Sequence, residues 1–342
     1  MIKFSNILEA LGIAALALTM SGCAKETAEN KNVDNKMFLE SWMSINYPDI
    51  PKTGLGIYII DDQEGTGRPI AANDEYAFVQ YTTYTLEGTV KETTSEEMDK
   101  QLGKFARGNY YGNEIIHRDR TENSAGMLEM FNGMRIGGTR TAVIPGWLNV
   151  AKDLKDEEAY LKDGAGYDMI CTMTLKDAIE DVYDWEIDTL ERYVARWMDG
   201  VDSTHFGYYY KQLSEPTDTA ALPRDTTVRI NYIGRLMDGK VFDTTIADTA
   251  KFYGIYSPTR NYSPVYINLA DEASDITMST SSKSDASSSI VNGFAYCMMN
   301  MKNHEKGIAA FYSVYGYGKK GSSPGIPKYA PISFEIEIID EE

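Results

Sequence analysis

A chain of 342 residues with 43% apolar and 25% charged side chains can bury more than one hydrophobic core, so two domains are expected. Its formal charge of −18 repels phosphate backbones and sets nucleic acid aside as a partner. Three cysteines and three scattered histidines offer neither a disulfide framework nor ligand spacing, and no phosphate loop or dinucleotide fingerprint occurs, so no metal and no cofactor is expected.

The chain opens with Lys3 and an apolar run from Ala10 to Met20, too short for a stable membrane span. Ser21-Gly22-Cys23 follows and resembles a bacterial lipobox. Residues 1–22 are therefore read as a signal peptide, Cys23 as the lipidated mature N-terminus, and the polar residues 23–36 as a tether. That resemblance implies a membrane partner through the N-terminal lipid and a place in the cell envelope. Ala24 follows the cysteine where an inner-membrane lipoprotein often has Asp, which favours the outer membrane.

Phe38, Leu39, Trp42 and Met43 predict a short helix over 37–43, ended by Pro48 and Pro51. A first strand is expected over 56–60 and a loop over 61–68. Alternation from Phe78 through Tyr81, then Glu87-Gly88 and a returning segment to Thr94, reads as a hairpin. The turn and strand around Asn132–Pro145 follow, and a strand over 167–175 closes the first half. Ile179, Val182, Tyr183, Ile187, Leu190 and Val194 lie on one side of a helix spanning 177–197, expected on the surface between the halves and stopped by Asp199-Gly200. A lead-in strand over 206–213 and a polar linker over 214–223 precede a second hairpin. In it Val228, Ile230 and Tyr232 alternate, Asp238-Gly239 turns, and Phe242-Asp243 return. Laid on one another without a gap, the hairpins match Tyr81 to Tyr232, Gly88 to Gly239, and Thr93-Thr94 to Thr244-Thr245, the mark of an internal duplication. Asn132–Pro145 has its counterpart in Met299–Tyr312. The Ser- and Asp-rich residues 271–289 are expected to be a mobile, uninvolved excursion. Cys171 and Cys297 sit in apolar surroundings and read as small buried hydrophobes.

From Thr226 onward the chain is similar to the FKBP-type peptidyl-prolyl cis-trans isomerases. The resemblance rests on Gly239-Lys240-Val241-Phe242-Asp243-Thr244-Thr245, on Ile290-Val291-Asn292-Gly293-Phe294, on Tyr315-Gly316-Tyr317-Gly318, on Gly325-Ile326-Pro327 and on the last strand Ile332–Ile338, in the family's order. It implies an α+β fold of two tandem FKBP-like domains, each an antiparallel sheet wrapped around a short helix and joined by a helical linker. Their boundaries are 37–175, 176–213 for linker and lead-in, and 214–342. It further implies an enzyme acting on X-Pro bonds of proline-containing polypeptides, here exported proteins. Tyr232, Phe242, Phe294 and Phe334 would wall a proline pocket with Val291 at its mouth. Asp243 would face the reacting amide and Tyr317 would donate to the substrate carbonyl. Phe294 stands where the family usually has Trp, Val265 falls near a usually aromatic position, and Ser322 and Ser323 lie in the loop over the pocket.

Read without the family, Tyr232, Phe242 and Phe334 are ordinary core aromatics, Asp243 a turn residue and Tyr317 a surface ring. In the first half Lys91 and Glu92 replace Phe242 and Asp243, Met127 takes the floor, and Val150 the place of Tyr317. A lysine at a pocket wall must snorkel out or bury a charge, so this half is expected to be non-catalytic. One other function keeps the fold, a chaperone-like or assembly lipoprotein that binds polypeptide without catalysis; another is a glycan-handling surface lipoprotein, since exposed Tyr and Trp also suit sugars.

Overall fold

One hairpin, used twice, sets the architecture. The computed structural model describes residues 31–150, 156–163, 166–216, 220–280 and 287–339, so the signal peptide, Cys23 and most of the tether lie outside the described residues. The first sheet is six-stranded and antiparallel: β1 (Tyr58–Gln63), β2 (Tyr76–Tyr84), β3 (Val90–Thr93), β4 (Glu114–His117), β5 (Thr139–Ile144) and β6 (Met169–Ile179). Its order is β1-β5-β6-β2-β3, with β4 also on β2. The second contains β7 (Ser203–His205), β8 (Tyr208–Gln212), β9 (Thr227–Leu236), β10 (Val241–Thr244), β11 (Val265–Asn268), β12 (Thr277–Ser279), β13 (Ser288–Ser289), β14 (Lys306–Phe311) and β15 (Ile332–Ile339). Its order is β13-β12-β11-β9-β15-β14-β8-β7, with β10 also on β9. The path β1-β5-β6-β2 carrying β3 and β4 thus recurs as β8-β14-β15-β9 carrying β10 and β11.

The repeat extends to single hydrogen bonds. Gly88 and Gly239 take φ of 85° and 90° at the two turns, where a side chain would be strained. Each return strand carries one extra residue: Lys91 on β3, opposite the step from Thr83 to Tyr84, and Phe242 on β10, between Val241 and Asp243. The Tyr81 N–H donates to Thr94 Oγ1 at 2.9 Å, and the Tyr232 N–H to Thr245 Oγ1 at 3.0 Å. Short helices lie against the sheets, Ala125–Glu129 on the first and Asn292–Asn300 on the second. Cys171 and Cys297 are both free and buried.

Several elements differ from expectation, each through a contact distant in sequence. The first helix spans Lys31–Asn46 and takes in the end of the expected tether. It buries Leu39 and Met43, and Lys36 pairs with Glu157 at 3.0 Å. β1 runs into the expected loop because Arg140 forks onto Asp62 at 2.7 and 3.1 Å. β6 continues to Ile179 along β2, which delays the linking helix to Val182–Trp197, capped by Asp181. That helix is no loose surface linker. Val182, Glu186, Leu190, Tyr193 and Val194 are buried, and it covers the outer face of the second sheet at Tyr209, Ile308 and Ala310. Residues 271–280 and 287–289 are not a detached excursion either: β12 and β13 extend the sheet from β11, and Ile276 is buried.

The two halves touch through Phe78, Ile115, Val182 and Tyr329, with Trp185 edge-on to Phe78 at 5.0 Å. No described helix is long and apolar enough to cross a membrane.

Candidate functional site

β9, β10, β15 and the helix Asn292–Asn300 each aim one ring at a common point. Tyr232 meets Phe294 edge-on at 5.7 Å, Phe334 meets Phe294 at 4.9 Å, and Phe242 meets Phe334 at 5.6 Å and 88°. Such edge-to-face pairs place positive ring edges on negative faces and hold one another in fixed rotamers. Gly234 in the middle of β9 makes the arrangement fit: a Cβ there would stand 2.6 Å from the Phe242 ring and 2.9 Å from Phe334. Sequence reading had passed over this glycine, although a lone glycine inside a strand signals a close approach.

The rings fill their own centre. Tyr232, Phe294 and Phe334 are 7%, 2% and 4% exposed, whereas Phe242 and Tyr317 are half-buried. Open space, a cleft of about 600 Å³, lies above them and is lined by Phe242, Asp243, Ile255, Tyr256, Arg260, Tyr317 and the loop 322–326. Of the residues expected at the site, Phe242, Asp243 and Tyr317 therefore line the cleft. Tyr232, Phe294 and Phe334 form the layer beneath. Val291 precedes the helix, half-buried against the same core. Ser322 and Ser323 line the cleft, and Val265 is in the core on β11.

Asp243 is fully engaged. Tyr232 donates its hydroxyl to Oδ2 at 2.6 Å, the Thr244 N–H donates to Oδ1 at 2.8 Å, and Arg260 donates to Oδ1 as an ion pair. Burial, then the charge of Asp243, pushes the Tyr232 phenol up, so it remains a donor. Tyr317 is different: among the described residues no hydrogen bond reaches its hydroxyl. Burial and then Asp243 raise its phenol as well, which keeps the proton on a group facing the cleft. Among the described residues no nucleophile–base pair lines this space.

Sequence reasoning missed Ile255, Tyr256 and Arg260, whose loop had no recognisable signal. It also missed Ala106, Arg107, Gly108 and Asn109, which reach the cleft from the first half. The first half's own counterpart is smaller, about 330 Å³, and lined by Tyr81, Glu92, Asp99 and Glu114 together with Lys320, Pro324 and Lys328 of the second half. Tyr81 donates to Glu92 at 2.8 Å, as Tyr232 does to Asp243. Lys91 is exposed and turns to another depression beside Leu86 and Phe38. Met127 is half-buried, and Val150 lines neither cleft.

A small α+β unit with a ring-floored cleft is thus the site-bearing part of the molecule. The family model described as FKBP-type peptidyl-prolyl cis-trans isomerase matches residues 270–339, which contain Val291, Phe294, Tyr317 and Phe334, while Tyr232, Phe242 and Asp243 precede them. The chain is 28% identical over 129 residues to the peptidyl-prolyl cis-trans isomerase FKBP11 of Bos taurus, covering 37% of this chain and 49% of that one. It is 23% identical over 145 residues to the FKBP-type 22 kDa peptidyl-prolyl cis-trans isomerase of Escherichia coli K12, covering 42% and 53%. The chain therefore spans about half the length of the curated relatives it matches. Among solved structures, the three FKBP domains of wheat FKBP73 align over 83% of this chain and 94% of that one, at 14% identity and a TM-score of 0.29. A Pseudomonas syringae peptidyl-prolyl isomerase aligns over 46% and 93%, at 21% and 0.31. At such scores neither superposition defines the fold, which rests on the strand order above. Over residues 270–339 the chain is thus similar to the FKBP-type peptidyl-prolyl cis-trans isomerases.

Proposed function

We propose that the second half, 214–342, is a peptidyl-prolyl cis-trans isomerase that turns X-Pro bonds in the cleft over Phe242, Asp243 and Tyr317. The observation that carries this reading is Tyr317, whose hydroxyl has no hydrogen-bond partner among the described residues, lining with Phe242 a cleft above the buried rings of Tyr232, Phe294 and Phe334. Rotation about an X-Pro bond is opposed by amide resonance, with a barrier of about 18–20 kcal/mol. Removing water from the carbonyl weakens the charge-separated form that keeps the amide planar. A site that holds the twisted amide better than either planar one lowers the barrier without a covalent step. Lowering it by about 5 kcal/mol gives roughly a few thousandfold. Phe242 supplies the rigid wall against the prolyl ring and Tyr317 a neutral donor. The Asp243–Arg260 pair presents a fixed dipole with no net charge.

The wider reading is of two tandem FKBP-like domains, 37–175 and 214–342, joined by the helix within 176–213. The first is non-catalytic, because carboxylates and Lys320 and Lys328 occupy its cleft. Lipidation at Cys23 would hold the protein in the cell envelope, at the outer membrane, with proline-containing segments of exported proteins as substrates. A second reading, binding without turnover, is favoured by one observation: Tyr232, Phe294 and Phe334 leave no hollow between them, so a prolyl ring meets only the upper wall. An isomerisation assay on a proline peptide with the soluble chain separates the two. Catalysed exchange supports the enzyme; saturable binding with no rate enhancement supports the binder.

A further inference from the structure

The cleft of the second half is completed by a loop of the first. Residues 103–111 lie across its outer side, and three contacts fix them there. The Tyr110 N–H donates to the Pro324 carbonyl at 2.8 Å, Lys240 donates to the Asn109 carbonyl, and the Arg107 stem lies over Gly254. A Cβ on Gly254 would stand 2.3 Å from Arg107 Cδ, so the stem can cross only where that residue has no side chain. Gly254 also has φ 71° at the end of the helix Ala247–Tyr253, which gives it a second reason to be glycine. Within the loop, Tyr111 donates to Asp99 at 2.9 Å and stacks on Phe105 at 5.7 Å. The wall is thus held from both sides.

Its charge is the informative part. Among the residues lining the cleft the charged ones are Arg107, Asp243 and Arg260. Asp243 and Arg260 neutralise one another, and no described residue pairs with Arg107. In a chain of net charge −18, the substrate cleft therefore carries one uncompensated positive charge, delivered by the other half of the molecule. Guanidinium suits a carboxylate because its donors form a planar fork.

We infer that the loop 103–111 is a working wall of the second half's cleft, and that Arg107 selects polypeptide segments carrying a carboxylate beside the proline. This deepens the isomerase reading and uses the same cleft. The test compares three otherwise identical proline peptides with Glu, Ala or Lys flanking the proline, read both as kcat/KM by exchange NMR and as binding by titration, in the whole soluble chain. The expected ranking is Glu over Ala over Lys, with a Glu-to-Ala ratio of roughly 1.5- to 5-fold at low salt, the range for one exposed ion pair, and a smaller ratio at high salt. Arg107→Glu should invert the ranking and Arg107→Lys should retain it. Because Arg107 is exposed, both variants are expected to fold, and thermal unfolding checks that. A ranking unchanged in Arg107→Glu overturns the inference. Charge-ranked binding without turnover removes the isomerase reading and keeps the role of Arg107. No binding of any of the three peptides overturns both.

Discussion

Where β15 carries Phe334 opposite Gly234, β6 carries Cys171 opposite Thr83. These are equivalent positions of the two sheets, one built around a large ring that needs an absent Cβ across from it, the other around two small side chains. The hairpin, the turn glycine and the Tyr-to-carboxylate hydrogen bond are present in both halves. What differs is what lies beneath: interlocked rings under the second cleft, and Met127 with Cys171 in the first. A scaffold can thus keep the hairpin, its turn and the tyrosine–carboxylate bond and still lose the ring floor of a site.

The comparison breaks most directly at Phe334. Phe334→Ala should cost about 3–5 kcal/mol by denaturant unfolding, the range for deleting a buried ring, whereas Cys171→Ala should cost far less. Equal costs would mean that the ring layer is no better packed than its counterpart. A second contrast concerns the one-turn helices after β5 and β14. In the first half the N–H of Gly146 is held at 2.7 Å by Asp168, a neighbour of β6. In the second, the N–H and hydroxyl of Ser313 are held at 2.5 and 2.7 Å by Glu186, which arrives from the linking helix.

Burial pushes the Glu186 carboxyl up to about 7, against the lowering effect of the two Ser313 hydrogen bonds. An acid raised in this way stays protonated in the folded chain where the unfolded chain has released its proton. Its contribution to stability therefore falls as pH rises from about 4.5 to about 7, and is level on either side. Glu186→Gln should flatten that slope and add up to roughly 3 kcal/mol above pH 7, measured by urea unfolding across pH. A slope that persists in the variant would assign the pH dependence to other groups.

In activity, Phe242→Ala should lower kcat/KM for a proline peptide by about 10- to 100-fold, equivalent to roughly 1.4–2.7 kcal/mol. Lys91→Ala, at the matching position of the first half, should leave it unchanged; a comparable loss there would place a second working site in the first half. The smallest effect is expected for Tyr317→Phe. Losing one neutral hydrogen bond should cost about 2- to 10-fold in kcat with little change in binding.

The sequence alone carried the hairpins, their register on one another, both turn glycines and the buried cysteines, because alternation and turn chemistry are written into neighbouring residues. It also named the rings that converge, since they sit at fixed offsets in family motifs. It did not say that three of them would seal the floor and leave Phe242, Asp243 and Tyr317 to face the opening. That depends on whether Gly234 admits the Phe242 ring and on the packing of four separate elements. Nor could it place Ala106–Asn109 on a cleft whose other residues lie more than a hundred positions away, or bury one face of a charge-rich linking helix. Local periodicity fixes what each segment is. Which segments share a cavity is decided only when the sheets close on one another, because exclusion of water and partnering of charges are properties of the assembled surfaces.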